Sequence, residues 1–135
     1  MVRTTSLAVF ALALIPLAAP AATCTGESPA ITAVSLRQVT QTPYLKLYHL
    51  SATVTNQGGH AQAGDVLQFV DIMQYGGRLD DRGIPPLAPG QSYTITYVWP
   101  RSADAGAMTS PLNFRMRSVA AESCPSSKSS AGITV

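Results

Sequence analysis

Two stretches of the sequence decide the fold: LSATVTNQGG at residues 50–59 and IPPLAPGQSYTITYVW at residues 84–99. In the first, Leu50, Ala52 and Val54 alternate with serine and threonine. In the second, the residues predicted to point inward, Tyr93, Ile95, Tyr97 and Trp99, alternate with Thr94, Thr96 and Val98. A period of two is the pattern of a half-buried strand, because successive side chains leave opposite faces of the pleat. Each strand adjoins a turn rich in glycine or proline. Together the two stretches predict an all-β chain in which one antiparallel sheet packs on another, with about seven strands.

Further strands are predicted on both sides of this region. Residues 31–39 and 44–56 are typical of two strands separated by a break near Pro43. Residues 112–117 alternate so that Arg115 and Arg117 project together from the outer face. The sequence also predicts a turn at residues 80–83 (DDRG). Pro100 is predicted to end the strand at residues 93–99, and residues 132–135 are predicted to form a short last strand.

The predicted third strand, DVLQFVDIMQY at residues 65–75, is apolar on both faces and precedes a hairpin turn at Gly76-Gly77. One of its faces carries a row of large apolar side chains: Leu67, Phe69, Met73 and Tyr75. Either a neighbouring strand or loop covers this row, or the row is a protein contact or an edge for β-augmentation. Arg115 and Arg117 would extend such an interaction face toward an anionic glycan or lipid headgroup, unless they are ordinary solvated charges.

Three motifs in sequence order carry a resemblance to a known family. They are Val54-Thr55-Asn56-Gln57-Gly58, Pro86-Leu87-Ala88-Pro89-Gly90 and the alternating strand at residues 93–99. In this order the sequence resembles the CARDB family over residues 31–119. The resemblance implies an Ig-like or fibronectin-like sandwich from a bacterial exported or cell-surface protein. It also implies a non-enzymatic role in protein binding, adhesion or structural support. The acidic, asparagine-rich final turn common in that family is matched here by Ala121-Glu122-Ser123 alone.

Four residues are predicted to shape the turns: Asn56, Gly58, Pro89 and Gly90. Asparagine and glycine tolerate a positive φ, and an asparagine side chain can bond to the nearby backbone. Pro89-Gly90 suits the two central positions of a type II turn, in which the glycine supplies the positive φ.

The N-terminal residues 1–22 are typical of a cleaved signal peptide. Arg3 is followed by an apolar, uncharged run at residues 7–17 and by small residues around Ala21 that suit signal peptidase. The apolar run is too short for a typical membrane span. We therefore expect residues 23–135 to form a single exported domain in the periplasm, at the cell surface or outside the cell.

Cys24 and Cys124 are the two cysteines of the chain. In an oxidising compartment they have one intramolecular pairing, which predicts a Cys24–Cys124 disulfide. The closed loop of about 100 residues gives roughly 4–5 kcal/mol in the chain-entropy model. The alternatives are a lipidated Cys24 and two free thiols.

Composition and charge argue against several classes of function. Charged residues make up 12% of the chain and the formal net charge is +2, so no electrostatic footprint for nucleic acid is present. His49 and His60 lie in no catalytic motif, and we expect no enzyme activity and no cofactor. The expected partner is a protein, with a surface glycan or a second copy of the chain as alternatives.

An exported metal- or small-ligand-binding protein is the second hypothesis. The side chains that could serve copper are His49, His60, Met73, Met108 and Met116. Their spacing forms no compact ligand set, and we expect no metal. Asp80 and Asp81 fall well short of the oxygen ligands that calcium requires.

Overall fold

A computed structural model of the chain describes residues 26–118 and 130–135, and these residues form seven strands without a helix. The strands are β1 (Pro29–Gln41), β2 (Leu45–Asn56), β3 (Gln68–Gln74), β4 (Gly77–Ile84), β5 (Ser92–Ser102), β6 (Leu112–Ser118) and β7 (Ser130–Ile133). The predicted signal peptide at residues 1–22, Cys24 and Cys124 lie outside the described residues. The leader and the disulfide therefore stay predictions.

The strands form two antiparallel sheets, which confirms the predicted sandwich. One sheet has the order β1-β2-β5 and the other the order β4-β3-β6-β7. In the Ig constant-type arrangement the fourth strand joins the sheet of the first, second and fifth. Here β4 instead pairs with β3, so the second sheet has four strands.

The core lies between the sheets and is built from the inward side chains of the alternating strands. From β6, for example, Leu112, Phe114 and Met116 point inward, as the alternation predicts. The buried core residues are Ile31, Leu50, Ala52, Val54, Val70, Ile72, Ile84, Leu87, Ile95, Trp99, Leu112, Phe114 and Met116. Half-buried Tyr48 and Tyr97 pack against this core.

Asn56, fully buried at the end of β2, connects several segments at one end of the sandwich through its side-chain hydrogen bonds. Its Oδ1 accepts from the backbone N–H groups of Ser28 (2.9 Å) and Gly58 (3.0 Å). Its Nδ2 donates to the carbonyls of His60 (2.8 Å) and Leu87 (3.0 Å). A buried amide with both polar atoms satisfied is stabilising, whereas an unsatisfied one is costly.

The turn before β5 has glycine where the backbone requires it. Gln91 N donates to Ala88 O at 3.0 Å, and Gly90 has a φ of 75° at the third position of this turn. The proline at the second position, Pro89, completes a type II arrangement. This turn joins the Asn56 network, because Gly90 N donates to Asn56 O at 2.8 Å.

The prediction for the third strand was wrong at both ends. β3 runs from Gln68 to Gln74, so Leu67 precedes it and Tyr75 follows it. The hairpin turn consists of Tyr75 and Gly76, with φ values of 52° and 76°, rather than of Gly76 and Gly77. Two positive φ values in a two-residue turn are the type I′ geometry, whose twist matches that of the flanking strands.

Three other local predictions also require correction. The DDRG sequence at residues 80–83 is part of β4 rather than a turn, because arginine side chains neutralise its aspartates on an edge strand. β5 continues through Pro100 to Ser102, which is tolerated since β5 is an edge strand. Tyr93 is exposed near the start of β5, whereas its place in the alternation predicted a core residue.

Candidate binding face

The outer side of the four-stranded sheet brings charged and apolar side chains together in three adjacent strands. The outward residues of β3 alternate with its buried residues Val70 and Ile72. We call this surface the arginine face and define it by Phe69, Asp71, Met73, Arg78, Asp81, Arg115 and Arg117. Phe69 lies opposite Arg117, and Asp71 lies between Asp81 on β4 and Arg115 on β6.

Asp71 is the centre of this face, and its side chain is 1% exposed although it points away from the core. Arg117 Nε lies 3.1 Å from Asp71 Oδ1 and 3.0 Å from Oδ2. The Arg117 Nη2 atom also donates to Asp81 Oδ2 at 3.0 Å. One guanidinium thus bridges two carboxylates on neighbouring strands.

The charge of Asp71 is stabilised by these contacts. Burial by itself raises the pKa of Asp71, but the hydrogen bond and charge of Arg117 and the charge of Arg78 outweigh it and lower the pKa. The same contacts raise the pKa of Arg117, chiefly through its hydrogen bond to Asp71. Since lowering a carboxyl pKa favours its charged form, the Asp71–Arg117 pair is ionised at neutral pH.

Arg117 also covers an aromatic ring. Its guanidinium carbon lies 4.4 Å from the centre of the half-buried Phe69 ring, a cation–π distance. Arg117 is therefore held on three sides, by Asp71, Asp81 and Phe69, and it serves to order the face.

Arg78 and Arg115 are held much more loosely. Arg78 Nη1 approaches Asp71 at 3.8 Å and Asp81 at 3.7 Å, and Arg115 Nη2 approaches Asp71 at 3.6 Å. These are ion-pair distances beyond good hydrogen-bond geometry. The two side chains are 51% and 52% exposed, so their N–H groups can reach a partner in solution.

A β-bulge sets the position of Arg78. Asp80 pairs with Ile72 and Arg78 pairs with Met73, which leaves Leu79 as the extra residue of β4. Without this irregularity, residues three apart such as Arg78 and Asp81 would point to opposite faces. The bulge brings both to the arginine face.

The structure brings together four of the six residues of the predicted interaction face. Phe69, Met73, Arg115 and Arg117 share the outer side of the sheet. Leu67 is 62% exposed in the loop before β3, and Tyr75 is 76% exposed at the hairpin tip, so neither extends the row.

An open depression lies beside the hairpin tip, at the end of the arginine face. It has a volume of about 340 Å³ and is lined by Met73, Gly76, Asn113, Arg115 and Ser130, which we call the hairpin depression. Its lining combines a thioether with guanidinium, amide and hydroxyl groups. Asn113 lies over Gly132, where a Cβ atom would be 2.8 Å from Asn113 Oδ1.

The outer side of the three-stranded sheet has a different character. Its hydroxyl groups bond to one another across the strands: Thr53 to Thr94 at 2.9 Å, and Thr55 to Ser92 at 2.7 Å. His49 is part of this surface, with Nε2 3.1 Å from Thr40 Oγ1. This face is uncharged along β5 from residue 92 to residue 100.

The candidate metal ligands do not converge. His49 lies in β2 on the three-stranded sheet, whereas His60 follows the Asn56 turn at the end of that strand. Met116 points into the core and Met73 lies on the arginine face. Across residues 26–118 and 130–135, no group of three histidine, cysteine or acidic side chains is placed to hold a metal ion.

Comparison of the chain with protein-family models, with curated proteins and with solved structures finds no match. The CARDB resemblance thus remains an interpretation of three sequence motifs. Among the described residues, none forms a helix with the length and hydropathy needed to cross a membrane.

Sequence reasoning missed three members of the arginine face: Asp71, Arg78 and Asp81. A signal for Asp71 was present, because a single carboxylate between Val70 and Ile72 in an apolar strand needs a partner. The pair Arg115 and Arg117, predicted outward, offered that partner. Arg78 and Asp81 gave no such signal, since the bulge that turns them to one face is not visible in their spacing.

Proposed function

We propose that this chain is an exported, non-enzymatic, CARDB-like module that binds a protein through its arginine face. The observation that carries the proposal is the contrast between the two outer faces of the sandwich. One holds half-buried Phe69 and Met73 among arginines, two of which are half-exposed and only loosely paired, and the other holds mutually bonded hydroxyl groups.

The composition of the arginine face suits protein recognition. Arginine, methionine and aromatic residues are the types enriched in the centres of protein interfaces. The Asp71–Arg117–Asp81 bridge fixes the middle of the face before a partner arrives, which lowers the entropy lost on binding. Arg78 and Arg115 then flank an ordered centre.

The predicted signal peptide and the CARDB resemblance support the cellular setting of the proposal. An export leader would take the domain to the periplasm, the cell surface or the medium. There it would act by recognition, adhesion or structural support of another envelope or secreted protein.

Co-purification from the exporting bacterium tests this function. The tagged chain is compared with Met73→Glu on the arginine face and with Thr94→Glu as a matched control on the other outer face. We expect a specific protein to co-purify with the unchanged chain and with Thr94→Glu, and its recovery to fall at least about tenfold with Met73→Glu. Both variants must first show the circular dichroism of the unchanged chain.

Equal recovery of the partner with both variants would contradict the proposal, as would loss through Thr94→Glu alone. Saturable binding of a surface polysaccharide by the unchanged chain, with no protein partner, would replace it with a glycan-binding function.

A further inference from the structure

We infer that the hairpin depression is a carboxylate-binding site for an acidic segment of the partner protein. This inference rests on the proposed function and assigns a chemical class to the partner. The depression differs from the rest of the arginine face because the charged group among its described lining residues is a cation, Arg115, whose loose partner Asp71 is not part of the lining. None of the described residues that line it carries a carboxylate, and Arg115 supplies a guanidinium.

The charges of the surrounding arginine face also favour a carboxylate as the ligand. Its two carboxylates, Asp71 and Asp81, are both engaged by Arg117. Arg115 Nη2 lies 3.6 Å from Asp71 Oδ2, a distance at which a closer acceptor can compete for the guanidinium. A guanidinium binds a carboxylate through two parallel hydrogen bonds, an arrangement that an incoming aspartate or glutamate side chain can complete.

The neighbouring strands add weaker donors at suitable places. Ser130 on β7 pairs directly with Arg115 on β6, so its hydroxyl lies one strand away from the guanidinium. Asn113 lies two residues before Arg115 on the same face of β6. Both line the depression, and both can donate to the second oxygen of a carboxylate.

Tyr75, the chain neighbour of the lining residue Gly76, provides an independent observation beside this site. It adopts a φ of 52°, a conformation that is strained for a bulky aromatic residue. Asparagine is the favoured residue at this position of a type I′ turn. An exposed tyrosine kept in a strained conformation next to Gly76 suggests that the ring is used, as an apolar rim for the partner's backbone.

A binding titration followed by amide NMR tests the inference with the mature protein. The probe is a short polyglutamate peptide with blocked termini, and polylysine of the same length is the opposite-charge control. We expect polyglutamate, at low salt, to shift the amide signals of residues 73–76, 113–115 and 130. Polylysine should leave them unchanged.

Variants separate a specific site from general attraction. Arg115→Gln should weaken polyglutamate binding about tenfold or more, and Arg115→Lys should restore part of it. Arg101→Gln is the matched control, since it removes the same charge from a side chain that stacks over Trp99 at 5.1 Å. Tyr75→Asn should also weaken binding while the fold is retained.

The outcomes distinguish this inference from the proposed function. Shifts spread over the whole surface, or equal losses with Arg115→Gln and Arg101→Gln, would overturn the carboxylate site. Captured partner that depends on Met73 but not on Arg115 would also overturn it, and the proposed function would stand. Polyglutamate binding that depends on Arg115, without any protein partner in the cell, would support carboxylate binding at the depression, but it would contradict the proposed function and a protein as the source of the carboxylate.

Discussion

Asp71 lies between the fully buried residues Val70 and Ile72, yet its side chain belongs to the opposite side of β3. Arginine side chains, rather than the protein core, shield it from solvent. Its stabilising contacts therefore depend on its charge. Ordered charge pairs of this kind contribute more than isolated surface ion pairs, because Arg117 is also fixed by Asp81 and Phe69.

The charge of Asp71 predicts how the stability of the fold changes with pH. Its pKa is lower in the folded protein than the ordinary carboxyl value of about 3.9. The folded state therefore gains stability from Asp71 above that ordinary value. This contribution is lost as the pH falls from there through the lowered pKa. Urea unfolding at neutral pH and near pH 3 measures the loss.

Asp71→Asn is the variant that isolates this effect. We expect it to cost about 1–3 kcal/mol at neutral pH, because Arg117 loses a charged acceptor, and to have a flatter acid dependence than the unchanged chain. Asp65→Asn, an exposed carboxylate in the loop before β3, is the control. An acid dependence that stays the same in Asp71→Asn would show that other carboxylates govern it.

Tyr75 provides a second prediction at the residue scale. Tyr75→Asn should raise the free energy of unfolding by about 1 kcal/mol, because asparagine accepts a positive φ more readily than tyrosine does. Tyr44→Asn is the matched control, since Tyr44 is 82% exposed and its φ is not positive. A gain of the same size in both variants, measured by urea unfolding, would mean that surface polarity rather than backbone strain is responsible.

The strands show which elements could be predicted from the sequence. Alternation in β2, β5 and β6 is regular, and the core residues of these strands follow from it, as with Val54, Ile95 and Phe114. The hairpin predicts a short returning strand at Arg78 and Leu79, but the rest of β4 could not be predicted, because DDRG is typical of a turn and forms a strand here through contacts with β6 and β5. Arg117 bonds Asp81, and Arg82 Nε donates to the Thr96 carbonyl of the other sheet at 3.3 Å.

The candidate site likewise has one part that could be predicted from the sequence and one part that could not. Its outward arginines on β6 were predictable from local alternation, whereas the Asp71 bridge depends on strand register. Register joins Asp71 to Arg115, which are 44 positions apart in the chain numbering (115 − 71). Tyr75 was predicted at the end of β3 because a pair of glycines is typical of a two-residue turn. The pairing of Gln74 with Gly77 places the turn one residue earlier, at Tyr75 and Gly76.

The close approach of the segment before β1 to the loop after β2 gives a prediction at the element scale. A Cβ atom at Gly58 would clash with Gly26 O and lie 2.8 Å from Ser28 N. Gly58→Ala should therefore destabilise the fold by about 3 kcal/mol, since backbone must move to admit the methyl group. Gly64→Ala, with nothing within 4 Å of its added Cβ atom, should be neutral or slightly stabilising.

Urea unfolding of the two glycine variants is the measurement, with amide NMR to show whether β1 still pairs with β2. Equal stability of Gly58→Ala and Gly64→Ala would mean that the segment before β1 does not pack against Gly58 in solution.

At the scale of the whole molecule, Pro29 and Ser118 lie at one end of the sandwich, whereas Ser130, on the other side of Cys124 in the chain, pairs with Arg115 in the middle of β6. Pro29 pairs with Asn56, and Ser118 pairs with Gln68. Asn56 and Gln68 both belong to the buried amide cluster around Leu87, the first directly and the second through Gln62. Cys24 precedes one of these strand ends and Cys124 follows the other.

Both cysteines lie outside the described residues, and the predicted Cys24–Cys124 disulfide has a clear test. Mature protein taken from the exporting cell should resist thiol alkylation until it is reduced. Reduction should lower the free energy of unfolding by up to roughly 4–5 kcal/mol. Two thiols that react without reduction would exclude the disulfide, and a lipid on Cys24 would show the lipoprotein alternative instead.

The most direct test of the central claim is photo-cross-linking in the exporting cell from one position on each outer face. A photoreactive residue replaces Met73 on the arginine face or Thr94 on the hydroxyl face, and mass spectrometry identifies each adduct. We predict one dominant protein adduct from position 73, lost when the Met73 probe is combined with Arg115→Glu, and none from position 94. The same adduct from both positions, or an adduct from position 94 alone, would contradict the assignment of protein binding to the arginine face.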